Sequence, residues 1–69
     1  MYRNLKAAMV RQGLTNNDLA NLLGVTERGI RDRINGYISW KWLEVTKIKS
    51  RYFRDYDIEE LFENTKQVS

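Results

Sequence analysis

Five charged side chains stand close together in one short stretch of this sequence: Glu27, Arg28, Arg31, Asp32 and Arg33. An arginine carries a planar fork of N–H donors that matches a carboxylate, a phosphate, or the O6/N7 pair on the edge of guanine. Arg28 and Arg31 are three residues apart, so on a helix they stack on one face. Thr26 and Glu27 come just before them. A carboxylate can accept from cytosine N4, or it can orient an arginine, and Glu27 lies at i,i+4 to Arg31. Thr26, Glu27, Arg28 and Arg31 therefore form a set able to read base edges in a major groove, the plain alternative being a solvated helix face. Arg33 reads as a surface or phosphate residue. Gly29, with no side chain, suits close approach of its helix to a duplex or to the preceding helix.

Other chemistries find little material. There is no Cys and no His, which removes disulfides, thiolate metal sites and the commonest general base and metal ligand. Asp57, Glu59, Glu60 and Glu63 cluster, but no nucleophile, phosphate loop or ligand set accompanies them. They read as a solvated acidic helix. No enzyme activity, cofactor, metal or small-molecule ligand is expected.

The elements that must position the charged set lie within residues 14–36. Ala20 lies four residues before Gly24, and Val25 and Ile30 follow. A small residue lets two helices approach closely, a glycine lets the chain turn between them, and the β-branched residues lock the second helix onto the first. This is the pattern of a helix-turn-helix over residues 15–35. Thr15 is placed to cap the first of these helices, with Asp18 three residues on completing a capping box. Leu19, Ala20, Leu22 and Leu23 form its buried side. Thr26 caps the second helix, in which Ile30, Arg33 and Ile34 recur on adjacent faces, and Asn35 with Gly36 signals its end. The exposed N–H groups near Asn16 and Asn17, at a helix N-terminus, suit a phosphate oxygen.

Around this unit, Leu5, Ala8 and Met9 recur at helical spacing over residues 2–12, and Gly13 ends that helix. Residues 37–42 alternate with period two, as a strand does. From Trp42 onward, Val45, Ile48 and Tyr52 sit at helical intervals, with Glu44 placed to pair with Lys47. The reading adopted is a loop to about residue 40 and then a helix to about residue 51, a strand over 37–42 being the alternative. Asp57 caps a short fifth helix in which Ile58, Leu61 and Phe62 pack inward. Residues 64–69 are polar and expected to fray. The aromatics Trp40, Trp42, Tyr52, Phe53 and Phe62 read mainly as core material. Trp and Tyr are also favoured in interface hot spots, so Trp40, Trp42, Tyr52 and Phe53 form a candidate dimer or partner interface.

The 69 residues suit one small all-α domain, 1–69, built as a compact bundle of about five short helices. A formal charge of +3 hides a division. Residues 1–54 hold eleven of the twelve Lys and Arg and four of the nine Asp and Glu, a net of +7. Residues 55–69 hold Lys66 against five acidic residues, a net of −4. A basic body with an acidic end fits a polyanion partner for the body. No apolar run approaches the ~20 residues that span a bilayer, and no signal-peptide pattern opens the chain, so a cytoplasmic location and no membrane partner are expected.

With these residues placed, the chain resembles the lambda-repressor-like (Cro/Xre-type) helix-turn-helix regulators of temperate phages over roughly residues 3–63. The resemblance rests on Asn16, Ala20, Gly24 with Val25, Ile30, and Asn35 with Gly36. Downstream it rests on Trp40, Tyr52 with Phe53, and Leu61 with Phe62. Three positions depart from the pattern. Asn16 stands for the usual Gln, Lys41 sits where a Ser or Thr helix cap is common, and Glu27 and Asp32 place carboxylates on the reading helix.

The resemblance implies that Asn35 touches the DNA backbone, a helix C-cap being the other reading, with Tyr37 and Lys41 following on the same edge. Lys6 and Arg11 either reach outer phosphates or are solvated. It further implies a homodimer on two-fold operator DNA, joined through residues 40–62, with a monomer left open. The expected function is a sequence-specific DNA-binding transcriptional regulator, a Cro-like phage repressor in a lysis–lysogeny switch, bound to double-stranded operator DNA. The alternative is a small modulator or antirepressor that binds a partner repressor protein and alters its operator affinity.

Overall fold

A computed structural model describes residues 2–64, and among these the chain is all-α. The helices are α1 (Arg3–Gln12), α2 (Asn16–Leu23), α3 (Glu27–Ile34), α4 (Trp42–Tyr52) and the single-turn α5 (Ile58–Leu61). The expected frayed end falls, beyond Asn64, outside the described residues.

Local chemistry sets most of the boundaries. The capping box at α2 is formed: the Asp18 N–H donates to Thr15 Oγ1 at 3.3 Å, and the Thr15 N–H donates to Asp18 Oδ2 at 2.8 Å. Two of the N–H groups orphaned at a helix start are satisfied this way. Thr26 caps α3 by accepting from the Gly29 N–H at 3.0 Å, and Asp57 caps α5 by accepting from Glu59. At the other end of α2, Gly24 adopts φ +70°, a left-handed conformation that turns the chain toward α3 and costs glycine nothing sterically. Gly36, at φ +89°, plays the same part after α3. Its N–H donates to Arg33 O, and the Tyr37 N–H donates to Asp32 O at 2.8 Å. These two bonds are the closing pair of a Schellman motif.

That motif explains why residues 37–42 do not form a strand. The Tyr37 and Ile38 N–H groups are spent on Asp32 O, and no second strand lies among the described residues to pair with them. Residues 37–41 form a loop and α4 begins at Trp42.

The helices share one core. α2 packs against both α3 and α4, and α5 against α1 and α4. Leu5, Ala8 and Met9 of α1 meet Leu19 and Ala20, Ile30 and Ile34, Ile48, Phe53 and Leu61 there. Leu22, Leu23, Val25 and Phe62 pack half-buried around it. Ala20 is the close-approach position that the spacing implied. Two further bonds tie the start of α1 to α3 and to α5. The Tyr2 N–H donates to Ile34 O at 3.1 Å, and Asn4 Nδ2 donates to Glu60 O at 2.8 Å. No helix among the described residues is long and apolar enough to cross a membrane.

Candidate nucleic-acid interface

α3 has two unlike faces. Ile30, Arg33 and Ile34 turn inward and are buried, while Glu27, Arg28 and Arg31 turn outward with Thr26 exposed at the helix start. The Arg28 side chain is 81% exposed and comes within 4.0 Å of the Asp32 carboxylate, four residues on. The Thr26 oxygen is engaged by the Gly29 N–H. Its own O–H stays available to donate outward. The four residues expected to read bases are thus all exposed, Thr26 and Glu27 at the start of α3 and Arg28 and Arg31 one turn apart along its outer face.

The expected phosphate contacts divide differently. Asn17 is exposed and Asn16 half-buried in the first turn of α2, where helical geometry leaves N–H groups unpaired. Asn35, Tyr37 and Lys41 are all exposed along the loop that leaves α3. Asn35 is also the C-cap residue of α3, its N–H donating to Arg31 O at 2.9 Å. Of the two α1 cations considered for outer phosphates, Lys6 is solvated, whereas Arg11 lies over the Tyr56 ring at 5.8 Å from its centre. Hydrogen bonding from Arg11 holds the Tyr56 hydroxyl below its ordinary pKa, against a smaller opposing effect of desolvation.

Several expectations are corrected. Arg33 is no surface residue: it is 8% exposed and bound on three sides. Its Nε and Nη2 donate to the two oxygens of Glu44 at 3.1 and 3.0 Å, and its Nη1 donates to Gly29 O at 3.0 Å. Glu44 thus pairs with Arg33 and not with Lys47. Its Oε1 also accepts from the Lys41 N–H at 3.0 Å. This explains how α4 starts without a Ser or Thr cap. Burial raises the Glu44 pKa, but the hydrogen bonds from Arg33 and the Lys41 backbone, with the charges of both residues, outweigh it and leave the carboxyl below its usual value.

Gly29 makes room for this pair. A Cβ there would sit 3.1 Å from Arg33 Nη1 and 3.2 Å from Thr26 Oγ1, so within the protein the missing side chain makes room for the helix's own residues, and the nearest atoms are not those of α2. The i,i+4 ion pair on the outer face joins Arg28 to Asp32 in place of Glu27 to Arg31. Among the candidate interface residues, Phe53 is fully buried and drops out. Trp40 and Tyr52 are half-buried, and Trp42 is 68% exposed. Leu43, unremarked in the sequence, is 79% exposed beside it.

No protein-family model, curated protein or solved structure matches the chain. The geometry of the outer edge is therefore the main guide to function.

Proposed function

We propose that the chain is a sequence-specific DNA-binding regulator, with α2 and α3 acting as a helix-turn-helix and α3 entering the major groove of operator DNA. The observation that carries this reading is the segregation within α3. The helix buries one arginine in a structural pair and keeps Arg28 and Arg31 exposed beside Thr26 and Glu27. In this reading the forks of Arg28 and Arg31 address guanine edges, Glu27 accepts from cytosine N4, and Thr26 donates its hydroxyl. Asn16, Asn17, Asn35, Tyr37 and Lys41 take phosphates and set the register. The family resemblance adds the expectation of a Cro-like phage repressor, dimeric on its operator, that acts by occupying a promoter.

A gel-shift titration against DNA from the protein's own promoter region, at two salt concentrations and with competitor DNA, tests this. A band that survives competitor and weakens with salt supports it. A folded protein that gives no specific band overturns it. The second reading, a modulator that binds a partner repressor through α3, draws on Glu27 and Asp32. Carboxylates on this helix oppose phosphate, and the ion pair on its outer face ties Arg28 to Asp32. A protein that shifts no DNA but changes a repressor's operator affinity fits that reading.

A further inference from the structure

The two tryptophans of the chain line a groove of about 300 Å³ away from the outer edge of α3. Its walls are Tyr2, Trp40, Trp42, Ile58 and Phe62, with Glu59 at the rim. Trp40 is held edge-on by Tyr2 and Phe62, at ring-centre distances of 6.2 and 5.4 Å, and this fixes one wall. Trp42 has no such restraint: it stands 68% exposed with Leu43 beside it, an expensive way to leave an indole unless something covers it. The Glu59 carboxylate is exposed, and no ion pair engages it among the described residues. No Lys or Arg lines the groove. Buried in the wall, the Trp40 Nε1–H finds no acceptor.

We infer that this groove docks a basic, apolar segment of a partner protein, seating an arginine or lysine between the Trp42 ring and Glu59 and an apolar neighbour against Ile58 and Phe62. A cation over an indole face gains from the ring quadrupole, and a carboxylate at the rim adds charge attraction. DNA and anionic lipid are disfavoured as occupants, because the charged side chain that lines the groove is a carboxylate, Glu59. The groove shares no residue with the proposed reading edge, but Trp40 and Trp42 also belong to the dimer interface that the resemblance implies, so a second copy of the chain is the competing occupant that the test must separate.

Because both tryptophans lie in the groove, intrinsic fluorescence reports on it directly. The probe is a short synthetic peptide with arginine between leucines, compared with the same peptide carrying citrulline, which keeps the shape and removes the charge. The expected result is a saturable emission change with affinity about tenfold weaker for citrulline. Glu59→Gln and Trp42→Ala, both at exposed positions, should each weaken the arginine peptide by about fivefold or more and leave the thermal unfolding of the free protein unchanged. Trp42→Phe, which keeps a ring, should lose less. Arg28→Ala should do the reverse, losing DNA and keeping peptide. Equal binding of the two peptides overturns the cation site. An emission that no peptide changes overturns the docking surface. Concentration-dependent sedimentation that disappears in Trp42→Ala would assign the groove to a second copy of the chain and overturn the basic-segment partner.

Discussion

Arg33 and its neighbours Arg28 and Arg31 are the same side chain on the same eight-residue helix, yet they meet opposite surroundings. Arg33 lies at 8% exposure with both oxygens of Glu44 and the Gly29 carbonyl around its guanidinium. Arg28 and Arg31 face solvent with, at most, a long contact to Asp32. A guanidinium locked in a bidentate pair has committed its fork and fixes geometry. One left in water keeps its fork for a ligand. In this helix it is burial, and not residue type, that separates a guanidinium committed to the scaffold from one left free.

That contrast can be broken most forcefully at the buried end. Arg33→Ala strands the Glu44 carboxylate in a half-buried site and removes the link between α3 and the start of α4. We expect a loss of about 2–4 kcal/mol in urea denaturation, toward the lower side of the range for fully buried pairs because both side chains keep some exposure. Arg33→Met with Glu44→Leu should recover much of it, since apolar replacement of an ion pair is often neutral. A single-substitution loss no larger than that of a surface change would return Arg33 to the exposed class.

At the open end, Arg28→Ala and Arg31→Ala should each cost about 1–3 kcal/mol of specific operator binding in competitor gel shifts. Stability should stay within about 0.5 kcal/mol of the parent. Equal losses on specific and non-specific DNA would remove their role in reading bases.

Acid sharpens the comparison further. The Glu44 carboxyl titrates below its ordinary value of 4.5 when folded and near that value when unfolded. Between the two, the unfolded chain binds the extra proton, so stability rises with pH there. The contribution of Glu44 is complete above about 4.5 and is lost as pH falls through the folded value. Glu44→Gln should flatten this part of the stability–pH profile, whereas Arg28→Ala should leave it unchanged.

The smallest effect lies at Gly29. Alanine is favoured over glycine within a helix by about 1 kcal/mol, but here its Cβ presses on Arg33 and Thr26. Gly29→Ala should therefore yield little or no stabilisation in the parent and a clear gain in the Arg33→Ala background, read by thermal denaturation.

Much of this architecture could be read from local spacing. The caps at Thr15, Thr26 and Asp57, the glycines after α1 and α2, and the turn at Asn35 and Gly36 act within five residues, where sequence and geometry are nearly the same information. The outward placement of Glu27, Arg28 and Arg31 followed from helical period in the same way. Arg33 and Glu44 did not, because they are eleven residues apart and meet only when α4 folds back on α3. A signal was nonetheless present. Arg33 falls three residues after Ile30 and one before Ile34, on the apolar side of the helix, and the residue one turn before it is glycine. Trp42 misled for the opposite reason: its size suggested core, while its place in the first turn of α4 leaves it outside.

The hydrogen bond from Asn4 to Glu60 spans 56 positions of the chain, and with the packing of α5 on α1 it closes the molecule into a ring of contacts. Neither α1 nor α5 can peel away without opening the other. Deuterium uptake should therefore reveal α1 and α5 as one cooperative unit whose amides exchange together. Cutting the short α5 away should loosen the opposite end of the sequence as much as the place where the cut is made.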